Sequence, residues 1–101
     1  MKILERHVRK IHPSKWGEVE EVNKKFDAIE EKYGFPPKRY YRCFSGTHDV
    51  FTSIMEREWE SLAAMEAAGE KAFADPQWLA LASEGGAIGE GPQIELYWVQ
   101  S

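Results

Sequence analysis

The sequence predicts an α+β fold of the ferredoxin-like type, with the element order βαββαβ and a short extra helix before the last strand. Three patterns predict this order. The residues after Trp16 have the spacing of an amphipathic helix, two β-rich runs flank a glycine-containing turn at residues 46–49, and an alternating apolar run covers residues 94–99. A length of 101 residues has room for one domain, which we place over residues 1–101.

The first predicted strand covers residues 3–11 and is expected to be central in the sheet. Its alternation places Glu5, His7 and Arg9 together on one face. Three ionisable groups in a row on a central strand either pair with one another, form a subunit interface or line a pocket that binds a polar ligand. We therefore regard all three as candidate ligand-binding residues, without deciding between these alternatives.

The first predicted helix begins at Trp16 and ends before Gly34, which suits the C′ position of a helix. Its apolar residues recur every three or four positions and form one stripe, namely Val19, Val22, Phe26, Ile29 and Tyr33. The opposite face carries charged residues, with Glu30 among them, and is expected to be exposed.

The two middle strands are predicted over residues 38–45 and 50–57 and form a hairpin. Each face of the first of them presents one tyrosine and one arginine. Arginine binds carboxylates through two hydrogen bonds and stacks on aromatic rings, so Tyr41 and Arg42 are candidates for recognising an anionic or aromatic ligand. The alternative is an edge strand whose arginines extend into solvent.

The second half of the chain predicts a helix over residues 59–73 and a third, short helix that starts with Asp75 as N-cap and Pro76 at its first position. A glycine-rich segment over residues 85–92 follows and is predicted to be a flexible connector. It is alternatively a lid over a ligand or a contact with a partner subunit.

The composition excludes several classes of function. Lys and Arg number 13 against 17 Asp and Glu, a net charge of −4, which argues against nucleic-acid binding. The single cysteine allows no disulfide, and no histidine spacing matches a metal motif, so we expect no metal and no cofactor. No apolar run has the length of a signal peptide's core or of a membrane span, and we expect a cytoplasmic protein without a membrane partner.

Two histidines are candidate proton acceptors. His7 lies on the charged face of the first strand, and His48 lies beside Asp49 in the predicted turn. An aspartate orients an imidazole for general-base chemistry, although His-Asp in a turn also serves ordinary turn geometry.

The aromatic residues predict a homodimer. The chain contains 4 Trp, 4 Tyr and 5 Phe, and neither face of the last predicted strand is polar. In a βαββαβ domain both helices pack on one side of the sheet, so the other side must be polar or covered. Because it is not polar here, we expect a second copy of the chain to cover it.

Two short segments carry a resemblance to a known family. One runs from Glu5-Arg6 through His12-Pro13 into the helix at Trp16; the other is Asp75-Pro76-Gln77-Trp78 with the glycine loop and aromatic last strand that follow. Together they resemble the dimeric α/β-barrel superfamily, and within it the NIPSNAP-like proteins. The chain departs from the family at its first strand, where Glu5 and Arg6 are adjacent rather than spaced by one residue on the same face.

The resemblance implies a homodimer in which two four-stranded sheets close into an eight-stranded barrel with helices outside. It also implies relatives of several kinds, including cofactor-free monooxygenases, haem-degrading enzymes, small isomerases and proteins without known activity. It assigns no catalytic residue in this sequence.

Three functions remain open from the sequence. The first is a protein that binds a small aromatic or anionic molecule through Glu5, His7, Arg9, Tyr41 and Arg42. The second is a cofactor-independent monooxygenase or isomerase in which His7 or His48 accepts a proton, provided that this histidine faces a cavity. The third is a structural or interaction protein without a small-molecule site.

Overall fold

The computed structural model describes residues 1–100, which form a four-stranded sheet with the strand order β2-β3-β1-β4. The strands are β1 (Ile3–Lys10), β2 (Arg39–Arg42), β3 (Thr52–Trp59) and β4 (Gln93–Trp98). The α-helices are α1 (Trp16–Lys32), α2 (Leu62–Phe73) and α3 (Pro76–Gly86). Every neighbouring pair of strands is antiparallel, which confirms the predicted α+β, ferredoxin-like class and the central position of β1. None of the helices within residues 1–100 is long and apolar enough to cross a lipid bilayer.

The register of the strands decides which side chains face the helices. Glu5 of β1 lies opposite Arg57 of β3, and His7 lies opposite Met55. Side chains alternate between the two faces along a strand, so these four residues and Arg9 share one face. This is the face against which the helices pack, and the predicted grouping on β1 is confirmed.

The helix-free face of the sheet is more polar than predicted. Arg6 lies on this face and forms ion pairs with Glu56 of β3 and Glu95 of β4. The prediction that this face is not polar is therefore wrong, and the large exposed apolar side chains of β4 have to be sought on its helix side.

The apolar core is divided between the two ends of β1. At one end Ile3 and Trp59 pack with Ala68 of α2, and at the other end Ile11 packs with Val22 of α1. All five of these side chains are buried. Between the two clusters the helix-facing side of β1 is polar, so the middle of the layer between sheet and helices is not filled by aliphatic side chains.

The boundaries of three elements differ from the sequence prediction by two residues or more. β2 ends at Arg42 rather than at residue 45. β3 begins at Thr52 because Asp49 accepts a hydrogen bond from the main-chain amide of Phe51 at 2.9 Å and holds the preceding residues in a turn. Trp59 belongs to β3 rather than to the second helix. That helix starts later because the hydroxyl of Ser61 caps it.

The glycine-rich segment is more ordered than predicted. Gly85 and Gly86 belong to the last turn of α3, so the connector itself begins at Ala87. Further along, Gly89 forms a β-bridge with Ile11, and a Cβ at this position would lie 2.2 Å from the carbonyl oxygen of Lys10. The amide of Glu90 donates to that same carbonyl oxygen at 2.8 Å. Only glycine permits this close approach, which attaches the segment to the end of β1.

Candidate functional site

A cavity of about 360 Å³ lies between the middle of the sheet and the helices. Glu5, His7 and Arg9 line it from β1, and Met55 lines it from β3. The helices contribute three aromatic rings to the wall, Phe26, Phe73 and Trp78, and Tyr40 of β2 adds a fourth. A concave space with a mainly apolar wall and a few convergent polar groups is the usual form of a small-molecule site, and this volume is at the small end of the range for such sites.

Glu5 is the centre of a buried network of charged groups. Arg57 donates from Nε to Oε1 of Glu5 at 2.8 Å, and Trp59 donates from its indole nitrogen to the same oxygen at 2.8 Å. Arg57 also donates from Nη1 to Oε2 of Glu30 on α1 at 2.9 Å. Glu5, Arg57 and Glu30 are 7%, 5% and 5% exposed, so the network connects the sheet to α1 away from solvent.

Lys38 completes the network on the side of β2. Its Nζ lies 2.6 Å from Oε1 of Glu30 and 2.8 Å from Oδ1 of Asp27. Tyr40 donates its hydroxyl to the same Asp27 oxygen at 3.1 Å. Burial raises the pKa of Tyr40 to about 12, despite the opposing effect of Lys38. The phenol therefore stays protonated as a hydrogen-bond donor near neutral pH.

Three residues of the network, Arg57, Glu30 and Lys38, were not predicted from the sequence to belong to a site. The prediction that Glu30 is exposed is wrong, because Glu30 lies one helical turn after Phe26 and both project toward the sheet. The four-residue spacing of Phe26 and Glu30 was the feature of the sequence that could have predicted this burial. Arg57 offered no local signal, since its partners Glu5 and Glu30 are 52 and 27 residues away along the chain.

The network keeps Glu5 ionised and orients His7. Burial alone raises the pKa of Glu5, but hydrogen bonds from His7, Arg57 and Trp59 outweigh it and hold the pKa well below its usual range. An ionised carboxylate accepts hydrogen bonds only. Because Nε2 of His7 contacts Oε2 of Glu5, we infer that neutral His7 carries its proton on Nε2. Nδ1 is then the nitrogen left to accept a proton.

Arg9 is a cation at the cavity without a carboxylate partner. Its Nη2 donates to the carbonyl oxygen of Gly85 at 2.7 Å, whereas its Nε is buried and has no hydrogen-bond partner. In the part of the chain that the structure describes, no carboxylate forms an ion pair with Arg9, and burial lowers the pKa of its guanidinium. A partly buried, unpaired guanidinium is costly in an apolar layer unless something else neutralises it.

The two candidate residues on β2, Tyr41 and Arg42, lie on opposite faces of the sheet. β2 presents Tyr40 and Arg42 to the helix side, while Tyr41 lies opposite Ile54 on the other face and is exposed. One tyrosine and one arginine do face the helices, as predicted, but Tyr40 rather than Tyr41 lines the cavity. Arg42 lies over the ring of Trp16, 4.0 Å from its centroid, and is not part of the cavity wall.

Of the two candidate histidines, His48 lies outside the cavity between sheet and helices, and His7 lines it. His48 is exposed in the loop before β3 and borders an open groove of about 410 Å³. In this groove Nζ of Lys10 lies 2.9 Å from Oδ2 of Asp49. His7 is therefore the histidine that lines the cavity between sheet and helices. Within residues 1–100, no group of three or more His, Cys, Asp or Glu residues has the geometry of a metal site.

Solved structures show what this architecture is similar to. A NIPSNAP family protein from Agrobacterium tumefaciens superimposes with a TM-score of 0.81 over 99% of this chain and 94% of its own, at 18% sequence identity. The chain has the fold of the NIPSNAP family proteins. An uncharacterised NIPSNAP domain protein from Burkholderia xenovorans gives the same TM-score of 0.81 at 19% identity, over 98% of this chain and 95% of its own.

The NIPSNAP-like fold is shared with an enzyme. SnoaB, a cofactor-independent oxygenase from Streptomyces nogalater, superimposes with a TM-score of 0.75 at 17% identity, over 99% of this chain and 94% of its own. No protein-family profile matches the sequence, and no functionally curated protein is detectably similar to it. At these identities the likeness establishes the fold, whereas the chemistry has to be argued from the cavity.

Acid is expected to weaken the folded state through Glu5. Its pKa is lower in the folded chain than in the unfolded chain, so its stabilisation is complete above an unfolded pKa of about 4.3 and is lost as the pH falls below that value. Urea unfolding at a series of pH values measures this loss. In Glu5→Gln the free energy of unfolding should fall less steeply with decreasing pH than in wild type. Glu58→Gln, which removes a surface ion pair with Lys2, should keep the wild-type dependence on pH. Equal slopes for wild type and Glu5→Gln would contradict the assignment.

Proposed function

We propose that the chain binds a small aromatic or anionic molecule in the cavity between its sheet and its helices. The observation that carries this proposal is the combination of an aromatic wall with Arg9, a partly buried cation that no carboxylate of residues 1–100 neutralises. A ligand that fills the space and supplies charge or ring contacts satisfies both features. The alternative of a structural protein without a site is disfavoured, since a purely structural layer gains stability from close packing.

The proposed working unit is a homodimer, in which residues 1–101 supply half of a dimeric α/β barrel. β4 is an edge strand and all six of its residues are exposed. Its side chains toward the helix side are apolar, with Ile94 59% exposed, Leu96 49% and Trp98 62%. An exposed edge with large apolar side chains is a site for association unless another chain covers it. A second copy of the chain is the partner that the fold favours.

Thermal-shift measurements with quinones, phenolic acids and haem test ligand binding. A ligand that binds only the folded chain stabilises it by about 2.7 kcal/mol at a hundredfold excess over its Kd. In a domain of this size each kcal/mol raises Tm by roughly 4–8 °C. We expect at least one of these classes to raise Tm, and a screen without any shift counts against the proposal.

A matched pair of variants locates the binding site. Ser53 faces the cavity from β3, and its neighbour Ile54 points to the opposite face of the sheet. Both positions accept an aromatic residue in a strand. Ser53→Phe should fill the cavity and abolish the shift, whereas Ile54→Phe should retain it. If Ser53→Phe binds as wild type does, the ligand lies elsewhere on the protein.

The second candidate function is that of a cofactor-independent monooxygenase or isomerase in which Nδ1 of His7 takes a proton from the bound molecule. The observation that favours it is the contact of His7 with the buried, ionised Glu5, which stabilises the imidazolium formed by proton transfer. The fold of SnoaB, a cofactor-independent oxygenase, is consistent with this chemistry.

Hydrogen–deuterium exchange tests the second function separately from binding. NMR in deuterated water follows exchange of an acidic C–H of a ligand that has first been shown to bind. Wild type should accelerate this exchange, and His7→Gln should bind the ligand yet lose the acceleration. His48→Gln is the matched control and should exchange at the wild-type rate. Acceleration that survives in His7→Gln would remove His7 from the mechanism.

A further inference from the structure

We propose that the ligand of this cavity is an aromatic monocarboxylate, whose carboxylate pairs with Arg9 and whose ring lies against Phe26. This inference rests on the proposed binding function and narrows its ligand to one chemical class. Neither aromatic character nor negative charge alone is then sufficient for binding.

Arg9 differs from Arg57 and Lys38, the other two cations that line the cavity. Arg57 pairs with Glu5 and Glu30, and Lys38 pairs with Glu30 and Asp27. These partners satisfy their charges inside the fold. Among residues 1–100, Arg9 has only the carbonyl oxygen of Gly85, a neutral acceptor. A carboxylate is the ligand group that matches a guanidinium in both charge and hydrogen-bond geometry.

The aromatic wall adjoins the Arg9 guanidinium. A Cβ built on Gly85 would lie 3.8 Å from Nη1 of Arg9 and 3.5 Å from the ring of Phe26, so the cation and the ring flank the same point. The ring centroids of Phe26 and Trp78 are 5.2 Å apart, and those of Trp78 and Phe73 are 5.3 Å apart. A carboxylate held by Arg9 therefore directs the rest of a small ligand along aromatic surface, where a ring gains most from burial.

The charge of the cavity limits the ligand to one negative charge. Its two carboxylates, Glu5 and Glu30, repel a second anionic group, and the cations Arg57 and Lys38 are already paired with them. A volume of about 360 Å³ is also small for a nucleotide or another polyanion. Aromatic acids of one or two rings meet the limits of both charge and size.

The position of Arg9 relates the ligand to His7. The two residues are two positions apart on the same face of β1, a separation of about 6.8 Å between Cα atoms. Both side chains line the same cavity, so a ligand anchored at Arg9 shares this space with the imidazole of His7.

Isothermal titration with matched pairs of acid and amide tests the inference on the unmodified protein. The acids are benzoate, 4-hydroxybenzoate and 1-naphthoate, and each is compared with its neutral amide. A hydrogen-bonded charge pair distinguishes the two forms by roughly tenfold to a hundredfold, so the acids should bind more tightly by that factor. Amides that bind as tightly as acids would overturn the carboxylate assignment while leaving the proposed binding function intact.

Substitutions on β1 test whether Arg9 is responsible for the preference for acids over amides. Arg9→Met should lose the preference for acids over amides, and Arg9→Lys should keep part of it. Arg6→Met is the control, because Arg6 lies on the same strand but faces away from the cavity. An undiminished preference in Arg9→Met would overturn the role of Arg9. If neither acids nor amides bind and the broader screen is also negative, the proposed function fails with the inference.

Discussion

Arg57→Met is expected to lower the free energy of unfolding by about 3–5 kcal/mol, the usual cost of removing one partner from a buried ion pair. Methionine keeps the aliphatic part of the side chain but loses the guanidinium, which also lies 4.7 Å from the centroid of the Phe35 ring. The substitution leaves Glu5 and Glu30, both nearly inaccessible to solvent, without the guanidinium that bridges them. Urea or thermal unfolding at matched protein concentration measures the change, since the proposed dimer would make the apparent stability depend on concentration.

A surface ion pair provides the control for this prediction. Lys25 of α1 lies 2.9 Å from Glu84 of α3, and both side chains are largely exposed. Lys25→Met should cost about 1 kcal/mol or less. Adding Glu5→Gln to Arg57→Met should recover part of the lost stability, because Glu5 is then left without an arginine or lysine partner, whereas Glu30 keeps its ion pair with Lys38. A loss for Arg57→Met no larger than that for Lys25→Met would show that the network contributes little.

Leu96→Glu is expected to convert the proposed dimer into a monomer. Leu96 is at the middle of the apolar row on the edge strand β4, and it is 49% exposed in the single chain. A carboxylate there would have to be desolvated in any interface that covers β4, at a cost of several kcal/mol. Sedimentation equilibrium at micromolar concentration should give twice the chain mass for wild type and the chain mass for Leu96→Glu.

An equally apolar position on a helix is the control for the dimer. Leu79 of α3 is 62% exposed, and Leu79→Glu should leave the dimer intact. Circular dichroism of both variants separates dissociation from unfolding. A wild-type chain that sediments as a monomer would contradict the homodimer. If Leu79→Glu dissociates the dimer and Leu96→Glu does not, the interface is formed by the helices rather than by β4.

Local patterns were enough to predict the elements. The spacing of three and four residues after Trp16 predicted α1, and the observed helix begins at that residue. Alternation along β1 predicted that Glu5, His7 and Arg9 share a face, because the side-chain period of a strand is two. The boundaries of β3 and α2 were less accurate, since they depend on the side-chain caps of Asp49 and Ser61 rather than on periodicity.

The pairing of the charged residues could not be predicted in the same way. Arg57 meets Glu5 only because β3 lies beside β1 in one particular register, and a shift of one residue would send its side chain to the other face. The choice of Tyr40 over Tyr41 for the cavity side follows from the register of β2 on β3. Both registers are set by contacts between residues far apart in sequence.

The local period of apolar and charged residues is enough to predict the order of the elements, the class of the fold and the polar face of β1. Packing of the sheet against the helices brings Arg57 to Glu5 and Glu30, and it leaves Arg9 without a carboxylate of residues 1–100 beside an aromatic cavity. Whether a buried charge is neutralised depends on its neighbours in space, and these come from residues far apart in the sequence.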